Sequence, residues 1–270
     1  MVTEAAALPN VLELKKVCKT FITPDGKTFD AIKNVNLEVA DLPGAGEFRV
    51  FLGPSGCGKS TILNIVAGLF APTTGQALLR NKPIAGPGPE RGMVFQGYSS
   101  YPWLTVLDNV AFGMMLRGVP RAEREREARS WIEKVGLKGA EKKYPKQLSG
   151  GMRQRVAIAR TLAVKPQIIL MDEPFGALDE QTRLLMGEWL VGVRRTTRKT
   201  IVFVTHSLHE AIALSDRIVV MTARPGRVKD VIDVALPYPR DLNGPEVTDL
   251  RAKLWEQVRE ESLKAMAGNA

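Results

Sequence analysis

Gly53-Pro54-Ser55-Gly56-Cys57-Gly58-Lys59-Ser60 separates an apolar run, Phe48 to Leu52, from a segment whose apolar Ile62, Ile65, Val66 and Leu69 recur at helical spacing. The run fits G-x-x-x-x-G-K-[ST] without a mismatch, in the strand-before, helix-after setting that this pattern needs. Its glycines let successive backbone N–H groups turn inward round an anion, and the N-terminus of the following helix adds partial positive charge. Lys59 is placed to reach β- and γ-phosphates and the Ser60 hydroxyl to hold Mg²⁺. Cys57 inside the loop reads as a small filler. A helix N-terminus lowers a thiol pKa, so alkylation of Cys57 is expected to block nucleotide binding.

Upstream of this loop, Val11 to Phe21 and Phe29 to Val39 carry alternating and β-branched apolar residues, two strands joined by a Pro24-Asp25-Gly26 turn. Downstream, Asn81 to Gly92 is rich in Pro and Gly and reads as loop, and Gly92 to Phe95 is strand-like. Helical patterns cover Val106 to Leu116, Arg121 to Val135, Ser149 to Ala163, Gln181 to Arg195, Leu208 to Leu214 and Pro245 to Met266. Ile168 to Met171, Thr200 to Val204 and Arg217 to Met221 are compact apolar strands. Strands alternating with helices predict an α/β fold with a mostly parallel sheet covered on both faces.

A second chemical group follows from Ile168-Ile169-Leu170-Met171-Asp172-Glu173, an apolar strand ending in two acids. Asp172 at the strand tip can orient the waters of Mg²⁺, and Glu173 can polarise an attacking water as general base. An exposed strand end also carries acids for solubility, and the phosphate-binding loop upstream tips the reading towards chemistry. His206 follows another strand and can donate a hydrogen bond to a γ-phosphate. His209 is the only other histidine, so no zinc triad is available.

The 270 residues suffice for a sizeable core, with 44% hydrophobic and 25% charged residues. No apolar run reaches the ~18 residues of a bilayer span, and Met1 to Asn10, with Glu4, does not read as a secretory signal. Two cysteines, Cys18 and Cys57, are no disulfide framework and fit a reducing compartment. The net charge of +9 comes without a Lys/Arg run interleaved with aromatics, so nucleic acid is not favoured as a partner.

Leu148-Ser149-Gly150-Gly151-Met152-Arg153-Gln154-Arg155 decides the family. With the motifs above, in this order, the chain resembles the ATP-binding-cassette ATPases from about Val11 to Met266. The resemblance implies a phosphate-loop nucleotide hydrolase core, an N-terminal antiparallel β subdomain and an inserted α-helical subdomain. It divides a single domain, 1–270, into a β subdomain and core at 11–95 and 165–235, a helical subdomain at 97–163 and a C-terminal helix at 245–266. It puts Gly53, Ser55, Gly56, Cys57, Gly58, Lys59, Ser60 and Thr61 round the phosphates of ATP and Phe21 on the adenine, where Tyr is commoner. Gln96 matches a residue touching Mg²⁺ and the attacking water, Asp172 the metal-coordinating acid, Glu173 the base and His206 the switch histidine. Ala177-Leu178-Asp179 matches the loop crossing a dimer interface, and Met152 replaces a more usual Gln.

In the family two cassettes face head to tail, each ATP lying between one phosphate loop and the partner's Ser149-Gly150-Gly151 run. One cassette per chain therefore implies a second copy, closed by ATP binding and released by hydrolysis. In the family's importers the segment after the Gln docks a membrane permease. Here Tyr98, Tyr101, Pro102, Trp103 and Leu104 occupy it, as core residues or as an exposed groove. Tyr101-Pro102-Trp103-Leu104-Thr105-Val106, Ala223-Arg224-Pro225-Gly226-Arg227 and Pro239-Arg240 look like the nitrate, sulfonate and taurine branch. That implies a peripheral subunit at the cytoplasmic face of the inner membrane, served indirectly by a solute-binding protein. The rivals are a cassette ATPase of DNA maintenance, which inserts a long coiled coil before the L-S-G-G run, a two-cassette translation factor, and a phosphate-loop kinase. About ninety residues without sustained heptads separate the two motifs here.

Overall fold

The computed structural model describes residues 10–42, 44–97, 99–176, 178–238 and 240–267. Tyr98, Ala177 and Pro239, and the N-terminal residues before Asn10, lie outside the described residues.

The alternating stretches form β1 (Leu12–Ile22) and β2 (Thr28–Val39), paired antiparallel through the turn read from Pro24-Asp25-Gly26. Gly26 takes φ +80° there, and Thr23 N donates to Lys27 O at 2.8 Å. All of β3 (Phe48–Leu52) is buried, and the phosphate-type loop leads from it into α1 (Lys59–Ala67). Next come β4 (Thr74–Leu79), β5 (Lys82–Pro83) and β6 (Arg91–Val94). The helices α2 (Val106–Leu116) and α3 (Arg121–Lys134), a 3₁₀ turn (Pro145–Gln147) and α4 (Gly150–Ala163) follow. The chain continues through β7 (Ile168–Asp172), α5 (Glu180–Thr197), β8 (Thr200–Thr205), α6 (Leu208–Leu214), β9 (Arg217–Met221), β10 (Val228–Asp233) and α7 (Pro245–Ala267).

These elements fall into two compact units, Met1–Pro87 with Thr197–Ala270, and Gly88–Thr196. In the first, an antiparallel sheet runs in the order β2-β1-β4-β5. The β-rich core of the same unit has β3 between β8 and β9, both parallel to it, with β10 antiparallel on β9. Leu52 at the end of β3 is in register with Thr205 and with Val220, so these strands deliver their following loops to one edge. α1 packs on β2 and β8, and α6 packs on β3 and α7. Arg49 and Glu47 are 1% and 2% exposed, and the Arg49 Nε donates to Glu47 Oε1 at 2.6 Å inside this core.

In the second unit β6 and β7 are parallel, with Val94 opposite Met171. α2, α3 and α4 pack on one another, and α4 also packs on β6. The approach of α4 is close enough that a Cβ on Gly92 would lie 2.4 Å from Thr161 Cγ2. The longest helix between the phosphate-type loop and α4 is α3, with 14 residues, far short of an inserted coiled coil.

The structure departs from the sequence reading in three places. Asn81 to Gly92 is not all loop, for it contains β5 and the start of β6. β4 was missed because its first three residues are exposed and Gly75 breaks the pattern at φ +82°. β10, an antiparallel strand at the sheet edge with one buried residue, has too little apolar patterning to be seen.

Candidate functional site

In the first unit the loop from Gly53 to Ser60 turns its back on β2. Gly58 has φ +97° and stands directly before α1, and a Cβ there would lie 2.4 Å from Ile32 Cγ2 and 2.8 Å from Ala31 O. Only glycine fits that turn. The opposite side of the loop is open, with Ser55, Gly56 and Ser60 exposed and Thr61 half-buried. No acid stands in the first turn of α1 to cancel its terminal partial charge. The Lys59 side chain is buried and folds back over the loop, its Nζ donating to Gly53 O at 2.8 Å and Pro54 O at 2.9 Å. A glycine cradle at a helix N-terminus, open on one side, and a lysine folded back onto two carbonyls and the Cys57 Sγ form a site that fits a polyphosphate.

Cys57 is buried, and burial pushes its thiol up against the lowering influence of Lys59. The expectation of a lowered pKa at a helix N-terminus is thus overturned by desolvation, and the filler reading stands. His206 follows β8 at the same sheet edge as the loop and is exposed. The turn that presents it is locked, with Ser207 N donating to Thr205 Oγ1 at 2.9 Å and the Thr205 hydroxyl donating to Glu210. Sequence reading missed Thr205 and buried Glu210, although the S-x-x-E spacing of Ser207 and Glu210 is a helix-start signal. Phe21, half-buried near the end of β1, stacks on Phe29 at 5.7 Å and meets Phe70 edge-on at 5.6 Å.

In the second unit the parallel register of β6 and β7 brings Gln96 and Glu173 out at one end, where Gln96 Nε2 donates to Glu173 Oε2 at 3.3 Å. Asp172 closes β7 and is half-buried. Glu173 has φ +42°, a conformation costing a non-glycine residue about 1–3 kcal/mol and concentrated at functional sites. The strand is buried along Ile168 to Met171, so it holds the two acids rigidly. In this unit Asp172 offers a hard carboxylate oxygen of the kind that suits Mg²⁺, which is normally held by one or two carboxylates plus substrate phosphates. Among the described residues no cluster of three or more His, Cys, Asp or Glu side chains forms a protein cage for a metal.

The same unit carries the Ser149-Gly150-Gly151 run. Ser149 caps α4, its hydroxyl accepting from Met152 N at 3.3 Å, and it remains exposed. No acid stands in the first turn, so this helix end can also face an anion. Gly151 is buried, and a Cβ there would lie 2.9 Å from Thr182 Cγ2. Asp179 caps α5, accepting from Thr182 N at 2.9 Å, and that backbone hydrogen bond holds its carboxyl below the usual range.

Of the aromatic stretch, Trp103 is 70% exposed whereas Tyr101 is half-buried against Phe112 at 4.6 Å. Fully buried Asn109 staples this segment, accepting from Tyr101 N at 2.8 Å and donating to Leu104 O at 3.0 Å. Arg160 adds hydrogen bonds to Ser99 O at 2.8 Å and Ser99 Oγ at 2.7 Å. Within the stretch Tyr101 is therefore packing, and Trp103 is surface.

Residues 32–176 match the family model described as ABC transporter. The chain is 51% identical over 242 residues to an uncharacterised ABC transporter ATP-binding protein of Methanocaldococcus jannaschii, covering 90% of this chain and 89% of that one. It is 42% identical over 246 residues to an aliphatic sulfonates import ATP-binding protein of Bacillus cereus, covering 91% and 95% respectively. Among solved structures, a dimeric ATP-binding cassette in a post-hydrolysis state with ADP and phosphate is similar at a TM-score of 0.70 and 34% identity, over 83% of this chain and 98% of that one. A family match over more than half of the chain, joined to that level of identity along nine-tenths of it, makes this protein a member of the ABC transporter family, an ATP-binding and ATP-hydrolysing cassette.

Proposed function

We propose that this cassette is the energy-supplying subunit of a membrane importer for a small solute of the nitrate, sulfonate or taurine type. Two copies bind ATP head to tail at the cytoplasmic face of the inner membrane and drive a permease fed by a solute-binding protein. The observation that carries the reading is that the chain has two separate helix ends open to anions, the N-terminus of α1 behind Gly53 to Ser60 and that of α4 behind Ser149. One nucleotide needs only one phosphate loop, and the second helix end gains a role when a partner presents the phosphates.

In this assignment the N–H groups of Gly56, Gly58, Lys59, Ser60 and Thr61 bind phosphate oxygens, and Lys59 exchanges two backbone carbonyls for the β- and γ-phosphates. Gly53, Ser55 and Cys57 shape the cradle, and Phe21 stacks on the adenine. Ser60, Asp172 and Gln96 hold Mg²⁺, which neutralises charge on the phosphates when bound. Glu173 takes a proton from the attacking water, with Gln96 fixing its carboxylate. His206 donates to the γ-phosphate, Ser149, Gly150 and Gly151 grip the partner's nucleotide, and Asp179 lines the dimer interface. Residues 97–163 form the helical subdomain, and the segment from Gln96 to Leu148 docks the permease, with exposed Trp103 at its surface. The core at 11–95 and 165–235 and the helix at 245–266 complete the cassette. Among the described residues no helix is long and apolar enough to cross a membrane, so the bilayer part of the machine belongs to the partner.

The test is complementation. Lys59→Ala and Gly150→Asp are each expected to abolish hydrolysis, and Gly150→Asp to leave nucleotide binding to a monomer intact. Mixed, they leave one composite site whole and restore hydrolysis. Failure of every mixture, with wild-type rate linear in enzyme down to monomeric conditions, would contradict the shared site. Adjacent coding sequences for a multi-span permease and a binding protein decide the importer assignment.

A further inference from the structure

The connection from β9 to β10, Thr222 to Arg227, lies against the phosphate loop, and its firmness is out of proportion to a surface turn. Gly226 N donates to Ala31 O at 3.0 Å and Gly226 O accepts from Lys33 N at 2.9 Å, which fastens the connection to β2. A Cβ on Gly226 would lie 1.9 Å from Cys57 O, so the two backbones touch. On the far side Ala223 N donates to Glu261 Oε2 at 2.9 Å. That glutamate, on α7, is 2% exposed and accepts from Lys229 at 2.8 Å and Lys264 at 3.0 Å.

The side chain that this scaffold presents is Arg224, which is exposed. Its Cζ sits 5.2 Å from the centroid of Phe29, whose ring stacks on Phe21. Its Nε donates to Gly56 O at 3.4 Å, and its terminal nitrogen is 3.2 Å from where a Cβ on Gly56 would be. Among the described residues no carboxylate pairs with it. A guanidinium resting on a ring and on one long bond to a carbonyl keeps most of its donors for something else. Its planar fork suits phosphate oxygens.

We propose that Arg224 is a further nucleotide-binding residue, contacting the α-phosphate of the bound nucleotide. The proposal rests on the nucleotide site described above. Arg224 lies between Phe29, which stacks on Phe21, and Gly56 in the loop, so an α-phosphate joining a base on Phe21 to outer phosphates in the loop comes within its reach. Because the α-phosphate is common to both nucleotides, ATP and ADP gain equally. Glu261 is a positioning residue that acts through Ala223.

The experiment measures ATP and ADP dissociation constants for wild type, Arg224→Ala, Arg224→Gln, Arg224→Lys and Lys59→Ala at low and high salt, with apo melting temperatures alongside. Loss of a charge-assisted hydrogen bond predicts about tenfold weaker binding of both nucleotides by Arg224→Ala and Arg224→Gln. Arg224→Lys is expected to fall between these and wild type, since it keeps charge without the fork. The deficit shrinks as salt rises, and the apo melting temperature stays at the wild-type value. Binding within about twofold of wild type overturns the proposal. So does weakening of ATP alone, or a salt-independent loss accompanied by a lower apo melting temperature, the signature of a mere loop staple. If Lys59→Ala also binds both nucleotides normally, the nucleotide site itself is wrong. If only Arg224 variants do, the fault lies with this inference alone.

Discussion

Gly58→Ala and Gly56→Ala place the same methyl group in one loop at two left-handed positions, φ +97° and φ +75°, and the structure makes their outcomes different. Each costs about 1–2 kcal/mol for forcing an L-residue into that conformation. At Gly56 the one neighbour within reach among the described residues is a terminal nitrogen of Arg224 at 3.2 Å, the far end of a flexible side chain. At Gly58 the methyl meets Ile32 Cγ2 at 2.4 Å and Ala31 O at 2.8 Å, and Ile32 is wholly buried. An ordinary carbon contact is about 3.5–4.0 Å, so the loop has to lift by roughly 1 Å, and overpacking of this kind adds about 1–3 kcal/mol. The totals are about 2–5 kcal/mol for Gly58→Ala against about 1–2 kcal/mol for Gly56→Ala. At about 2–4 °C per kcal/mol for chains near this size, the first melts clearly below the second. The lift also moves the N–H groups of Lys59 and Ser60, and a misplacement near 1 Å can cost about a hundredfold in function. Differential scanning fluorimetry and ATP titration on purified monomer decide it. Equal melting temperatures for the two variants, or ATP binding by Gly58→Ala within about threefold of wild type, would refute the claim that β2 props the loop.

Glu173→Gln keeps the shape and the contact to Gln96 while removing the proposed proton acceptor. It is expected to bind ATP, stall as a closed dimer in gel filtration and lose about a hundredfold or more in turnover. Arg49→Met strands a buried carboxylate at Glu47, which predicts a loss of about 3–5 kcal/mol in urea unfolding; adding Glu47→Gln should recover most of it, and the lack of recovery would deny the pair its role. Cys57, its thiol pushed up by burial, is expected to resist thiol reagents at neutral pH in the folded protein and to react once urea opens the loop. Rapid labelling of the native fold, located at Cys57 by mass spectrometry, would count against that burial.

Much of this was legible in the sequence because the chemistry is contiguous. The phosphate loop, the acids after Met171 and the Ser149 run each occupy a few consecutive residues, and each sits where an apolar strand or helix begins or ends. What was not legible depends on residues distant along the chain. Glu261 reaches Ala223 across 38 positions, and Arg224 reaches Gly56 across 168. Nothing local at those positions announces either contact. β10 escaped for a related reason, because a single buried side chain leaves no period to read. The Cys57 thiol failed differently. A helix dipole and a nearby lysine both pull its pKa down, but the side chain is 1% exposed, and burial is a tertiary quantity.

The placement of Lys59 bears on how the site can couple binding to motion. Its Nζ is satisfied by Gly53 O and Pro54 O, so incoming phosphates have to displace two hydrogen bonds rather than fill an unmet need. That exchange replaces neutral carbonyls by charged phosphate oxygens, and a hydrogen bond to a charged group contributes about 1.5–3 kcal/mol against about 0.5–1.5 kcal/mol for a neutral one. In the proposed assignment Lys59 therefore favours the nucleotide, and other donors add to it. Further donors of that assignment, in the same unit, are the N–H groups at the start of α1 and His206 at the same sheet edge. The capped end of α4 is exposed and without acids in its first turn, so a second copy can supply what one phosphate loop does not. In the proposed assembly a site partly filled by one protomer and completed by another responds to nucleotide by closing, since only the closed form makes the extra contacts.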